Sequence, residues 1–236
     1  MAEPEVGPPT STARPWSGGG REELAEVARK LIALTVTSMA PPDLLADAAR
    51  RVESLAEELE RFVPEAGPVP MARFSEDSVP SEEAPGLAAA MPFDVIIGSC
   101  NPLAPPVTIE FDPPKAIGRV QFTAPYEGAP GCVHGAVLAG VFDMMLTAAN
   151  VIAGAAGPTV NLSIRFLKPT LISEPALFEA WVTSKDDRRT RSRGHLVQNG
   201  VVTVEATGEF VHMERARVEA MHRRDGARKR RRPKNA

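Results

Sequence analysis

The run from Tyr126 to Asp143, YEGAPGCVHGAVLAGVFD, holds the residues of this chain best suited to chemistry. Proline and glycine turn residues lead into His134-Gly135, and an apolar pattern follows, so the pair sits where a helix begins. The first N–H groups of a helix have no partner within it and lie at the positive end of its dipole. Gly135, with no side chain, lets a carbonyl oxygen approach such an N–H closely, which is the arrangement of an oxyanion hole. The plainer reading is a glycine kept small for packing and a histidine that caps the helix. Asp143 follows as a lone carboxylate in an otherwise apolar segment. Buried there, it must be hydrogen-bonded. It is either a general base or nucleophile, or a structural aspartate bonded to a neighbouring backbone group.

Spacing adds a constraint. From Gly135 to Asp143 a helix rises about 12 Å, whereas reacting groups must come within roughly 3–3.5 Å of one another. One helix cannot bring both groups to one carbonyl. If both act, two antiparallel helices from two subunits supply them, and a two-fold dimer with composite sites is expected.

Other candidates are less ordered. Cys132 and His134 share a face in an extended segment, so a thiolate–imidazole pair is a competing arrangement. Neither has an evident orienting partner nearby, and Cys132 reads better as a small buried residue. His195, His212 and His222 show no metal-ligand spacing, and the chain has no C-x-x-C, H-E-x-x-H, Walker loop or G-x-G-x-x-G. No metal and no cofactor are expected. Arg188, Arg189, Arg191 and Arg193, and likewise Arg165 and Lys168, can meet the phosphates of a nucleotide-bearing substrate; they equally suit solvated strand ends.

The elements that must position these groups follow from periodicity. Two short strands, 107–111 and 117–123, flank a Pro-Pro turn. A helix runs from His134 to about Ala153. In the next strand, 159–167, Val160, Leu162, Ile164 and Phe166 face one way, and Thr159, Asn161, Ser163 and Arg165 the other. A strand over 176–184 follows. The last two, 189–198 and 201–212, flank Asn199-Gly200, a strong hairpin signal. A helix with no polar face must be covered nearly all round. An antiparallel sheet wrapped around it does so, giving an α+β hotdog fold; a generic α+β sandwich uses the same elements.

Composition sets the outer limits. The 236 residues are 43% hydrophobic and 24% charged, with a net charge of -3, which excludes collagenous, wholly disordered and disulfide-stapled chains. Two cysteines, expected as thiols, and an N-terminus with neither a basic start nor an apolar core argue against secretion and for a cytoplasmic protein. The apolar stretch 136–157 is long enough to span a membrane. Asp143 within it and the alternating strands behind it favour a buried helix and no integral membrane association.

The small net charge hides an uneven distribution. Residues 1–90 carry 8 basic and 16 acidic groups, and 213–236 carry 10 and 3. The chain therefore divides into a disordered N-terminus (1–20), a helical region (21–63), a Pro/Glu/Ser-rich linker (64–92), the main domain (93–213) and a basic tail (214–236). In the helical region Leu24, Val27, Ala28, Leu31 and Leu34 recur at helical spacing. Asp43 is placed to cap a second helix bearing Leu44, Leu45, Ala48, Val52, Leu55 and Leu59, and the pair is expected to pack on the main domain or a partner. The tail is a solvated block of like charge, and no specific nucleic-acid partner is expected.

With these residues in place, the segment YEGAPGCVHGAVLAGVFD, followed by Thr159 in PTVNLSIRFLKP, resembles the hotdog-fold acyl-CoA thioesterases. It is similar to the PaaI type and to mammalian thioesterase superfamily members with a Y-E-G-P-P-G-x-V-H-G-G segment. The resemblance covers about residues 95–212. It implies hydrolysis of an acyl-CoA thioester by a homodimer or dimer of dimers. Asp143 matches the catalytic carboxylate, Gly135 the residue whose N–H polarises the thioester carbonyl, His134 a residue that shapes that end of the site, and Thr159 a hydroxyl that positions water or the carboxylate. Arg165, Lys168, Ala136 and Asn161 are the expected substrate contacts. Ala136 replaces the second glycine of the motif, and Gly128 stands where many PaaI-type members have an asparagine. A non-catalytic acyl-CoA-binding or scaffold protein and a hotdog hydratase or dehydratase are the rival readings. The former leaves Asp143 and Thr159 unexplained, and the latter typically shows an Asp–His pair on a different helix motif.

Overall fold

The computed structural model describes residues 20–63, 87–155 and 157–212. The expected disordered N-terminus to residue 19, the linker over 64–86 and the basic tail from residue 213 lie outside the described residues.

Asn199 and Gly200 both adopt positive φ, 52° and 74°, as a two-residue hairpin turn of the primed type requires. They join β5 (Arg189–Gln198) to β6 (Val201–Val211). The other strands are β1 (Thr108–Asp112), β2 (Lys115–Gln121), β3 (Thr159–Phe166) and β4 (Pro175–Lys185). They form one six-stranded sheet in the order β1-β2-β4-β5-β6-β3, with every neighbouring pair antiparallel. Asp112 pairs with Lys115 across Pro113-Pro114. The first two strands therefore run closer to their turn than the apolar pattern alone suggested.

The N-terminal helices are α1 (Arg21–Thr37) and α2 (Pro42–Glu60), and a short α3 spans Leu87–Ala90. The long apolar segment is helix α4, Gly135–Ile152, with ten buried residues. It is the one described helix long and apolar enough to cross a membrane. Here the sheet covers it instead. Phe142 and Phe178 meet edge to face at 5.0 Å between ring centroids, and Phe122, Phe210, Leu146 and Leu196 complete the fully buried centre. An antiparallel sheet curled around a central helix is the hotdog architecture.

Two expectations need correction. Leu87 is buried in the same core, so the packed domain begins before residue 93 and the linker is shorter than its composition suggested. Asp43 is not the cap of α2. Pro41 occupies that position without a side-chain bond, and Asp43 lies in the first turn, where a carboxylate opposes the positive end of the dipole. The two N-terminal helices also behave differently. Helix α1 buries Ala25, and its Arg29 donates to the Ser99 carbonyl at 3.0 Å, tying it to the domain. Helix α2 buries no residue at all.

Candidate active site

The loop ahead of α4 is held by its own backbone. A 3₁₀ turn at Ala124–Tyr126 opens it. The Gly128 N–H donates to Cys132 O, Cys132 N–H to Ala129 O, His134 N–H to Tyr126 O at 2.8 Å, and Val133 N–H to Thr170 O. The Glu127 carboxylate accepts from the Gly131 N–H, and Gly131 supplies the left-handed φ of 74° that this turn needs. These bonds deliver His134 as the N-cap of α4, with Gly135 as its first residue.

His134 Nδ1 accepts from the Ala136 N–H at 3.0 Å. The Ala136 donor, expected to face substrate, is therefore engaged. Gly135 N–H has no acceptor among the described residues, so it is the donor left for an incoming oxygen. A Cβ on Gly135 would stand 3.1 Å from Phe166 Cζ; the ring of β3 lies directly over this glycine. The Gly128 position is equally tight. A Cβ there would meet His134 Cα at 2.8 Å. This is the physical reason the chain cannot carry an asparagine at that point without displacing His134.

A cleft of about 700 Å³ opens at this end of the helix. Residues 127–129 and 132–135 line one side with Leu138, and Phe166, Leu167, Lys168, Pro169 and Thr170 line the other. Lys168 thus belongs to the cleft wall. Cys132 lines it too, with no hydrogen bond to His134 among the described residues. Tyr126 stands near it, its hydroxyl donating to Ala104 O at 3.3 Å. Burial pushes the phenol's pKa up, opposed by the Arg29 guanidinium.

Asp143 does not line this cleft. It lies further along α4, half-buried, and its Oδ1 accepts from Thr159 Oγ1 at 2.7 Å. No other described group bonds to the carboxylate, so Oδ2 is free. Strict alternation puts Thr159 on the side of Asn161, Ser163 and Arg165, away from the helix. The structure brings it to the helix side because β3 slips register against β6 between Thr159 and Asn161. Such a bulge re-aims the side chain before it. Past the bulge, Leu162 and Ile164 pack on the core as expected, whereas Val160 and Phe166 are exposed.

Two expected substrate contacts lie elsewhere. Arg165 reaches the Glu205 carboxylate at 3.3 Å and does not line the cleft, and Asn161 is exposed on the same outer face of the sheet. Arg189 and Arg191 both pair with Glu209 there. His195 sits on that face as well, bonded through Nε2 to Glu179 at 2.7 Å. Burial alone raises the Glu179 pKa, but hydrogen bonds and charge from Lys115 and His195 outweigh it and hold the carboxyl below its usual range. His212 bonds to Thr190. Among the described residues no cluster of histidine, cysteine or carboxylate side chains is placed to hold a metal ion.

The sequence reading missed Phe166 as the cover of Gly135, together with Leu167, Pro169 and Thr170. Their signal was the apolar and proline run that ends β3, which periodicity assigns to a strand end and not to a cleft wall.

Comparisons with known proteins agree with this fold. The family model for the thioesterase superfamily matches residues 130–205. The crystal structure of a thioesterase superfamily protein is 31% identical, with a TM-score of 0.68, covering 82% of this chain and 96% of its own. Zebrafish thioesterase superfamily member 2 is 21% identical with a TM-score of 0.43, covering 45% of this chain and 81% of its own. The E. coli PaaI protein from the phenylacetic acid degradation operon is 19% identical with a TM-score of 0.42, covering 45% and 82%. No curated protein matches the chain.

Proposed function

This chain belongs to the thioesterase superfamily, and from that premise we propose that it hydrolyses acyl-CoA thioesters to free acid and CoA. The observation that carries the reading is the Thr159–Asp143 bond. It fixes a half-buried carboxylate through one oxygen and leaves the other open. That free oxygen takes a proton from water as the water attacks the thioester carbon, or attacks that carbon itself to form an anhydride that water then cleaves; on either route the C–S bond breaks and CoA leaves as the thiol. The Gly135 N–H, unclaimed at the start of α4, polarises the carbonyl and holds the oxyanion as charge develops. His134 fixes the shape of that end, and Lys168 meets the phosphates of CoA beside the cleft.

Asp143 and Gly135 are at different heights on one helix, and the cleft at Gly135 does not include Asp143. The working site therefore combines Gly135 of one copy with Asp143 and Thr159 of another in a homodimer or dimer of dimers. The cytoplasm, with its CoA pool, is the proposed compartment.

The test is a hydrolysis series against acyl-CoAs of graded chain length, with release of free thiol as the readout, run on wild type and Asp143→Asn. The amide keeps shape and hydrogen-bonding capacity but lacks the basic oxygen. Turnover should fall about 10²–10⁴-fold, the usual range for a lost general base. Acyl-CoA affinity and melting temperature should be maintained. Near-normal turnover in folded Asp143→Asn overturns the catalytic assignment. Acyl-CoA binding without turnover in the wild type points to a carrier or scaffold.

A further inference from the structure

Helix α2 carries Leu45, Ala48, Val52, Leu55 and Leu59, with Phe62 just past its end. The steps alternate between three and four residues, the 3.5-residue period of a coiled-coil seam. Among the described residues nothing covers this seam: Leu45, Val52, Leu55 and Leu59 are 43–48% exposed, and Phe62 is 81% exposed. A leucine stripe exposed on a helix with no buried residue is unfavourable, since helices of this length draw most of their stability from a packed apolar face.

We propose that α2 is an interface between two copies of this chain, paired antiparallel through the 45–48–52–55–59–62 seam. The flanking residues choose this occupant. In an antiparallel pair centred between Val52 and Leu55, Val52 faces Leu55 of the second copy, Ala48 faces Leu59, and Leu45 faces Phe62. In the two central kinds of pair, Val52 with Leu55 and Ala48 with Leu59, a smaller residue thus opposes a larger one. On one flank Ala49 meets Ala56 of the second copy, which lets the helices approach closely. On the other flank Arg51 meets Glu58, and by symmetry the pair forms twice. A parallel pairing places Arg51 beside Ala56 and leaves both charges unanswered. The exposed stripe of α1, Leu24, Val27, Leu31 and Leu34, lacks this complementarity: pairing α1 with itself in the same way sets Lys30 against Lys30. The interface stands independently of the hydrolytic reading.

The charge pattern supplies its own test. Arg51 and Glu58 are about 10 Å apart along one helix, too far to pair within a chain. Arg51→Glu should set glutamate against glutamate at both ends of the seam, and Glu58→Arg should set arginine against arginine. On the full-length protein, sedimentation across a dilution series should show the dissociation constant of the wild-type assembly rising about tenfold in each single variant. The two defective variants mixed together should regain wild-type affinity, because each then meets its opposite, and so should the double variant R51E/E58R. Leu55→Asp should lose the α2 association while keeping the dimer that builds the active site, and neither charge variant should restore the larger species. Helix content by circular dichroism should match wild type throughout. A wild type whose largest species at micromolar concentration is no larger than that of Leu55→Asp overturns the proposal. So do single variants that assemble like wild type, and a mixture that fails to recover.

Discussion

The hydroxyl of Thr159, the first residue of β3, donates to Asp143 Oδ1 at 2.7 Å, joining the sheet edge to the middle of the central helix. A hydrogen bond to a charged acceptor contributes about 1.5–3 kcal/mol, and this one also decides which oxygen of the carboxylate stays open. Thr159→Val should lower turnover about 10- to 100-fold, and Thr159→Ser should recover most of it. Both variants should bind acyl-CoA like wild type. Equal losses in Val and Ser would show that the hydroxyl has no part in turnover.

Gly135→Ala separates packing from catalysis. The new methyl stands 3.1 Å from the edge of Phe166, the end of a side chain that is more than half exposed and able to move by a few tenths of an ångström. Alanine also favours helical backbone over glycine, by less at this first position than the roughly 1 kcal/mol of a helix interior. The melting temperature should hold or rise. Turnover should fall at least tenfold, because the methyl narrows the approach to the Gly135 N–H. Unchanged kinetics would mean that no carbonyl docks there.

Gly128→Ala should behave in the opposite way. Its methyl meets the His134 backbone at 2.8 Å, and backbone cannot swing aside as a ring can. The loop must shift, at a cost of about 1–3 kcal/mol. A fall in melting temperature of several degrees is expected, with turnover falling alongside it. A fully stable Gly128→Ala protein would contradict the close contact.

Acid should weaken the outer face of the sheet. The folded-state pKa of Glu179 lies below its unfolded value. The Lys115 ion pair and the His195 hydrogen bond to the carboxylate are thus fully stabilising above the ordinary glutamate range and are lost as pH falls through the lowered value. Melting temperature against pH should drop on the acid side, and Glu179→Gln should flatten that limb while leaving turnover at neutral pH unchanged. An identical acid limb in the variant would place the titration elsewhere.

The sequence made the frame legible where one local signal dominated. Asn199-Gly200 specified the β5–β6 turn, and a helix with no polar face demanded the sheet around α4. His134, Gly135 and Asp143 could be read because helix starts and lone buried carboxylates carry clear physical requirements. The β-bulge was not legible. It depends on how β3 pairs with β6, more than forty residues away, and without it Thr159 points away from Asp143. The pairing of Arg165 was not legible for a related reason: its partner, Glu205, sits across that same pairing. The engagement of the Ala136 N–H by His134 needed a side-chain rotamer, which no spacing reveals.

That engagement has a consequence for whatever enters the cleft. A ring nitrogen that accepts from a backbone N–H carries no proton, so the neutral imidazole of His134 must hold its proton on Nε2. The fold therefore selects one tautomer before any ligand arrives. His134 offers a hydrogen-bond donor from that atom and no lone pair. An oxygen-rich guest finds a partner there, whereas a thiol seeking a base, Cys132 included, does not.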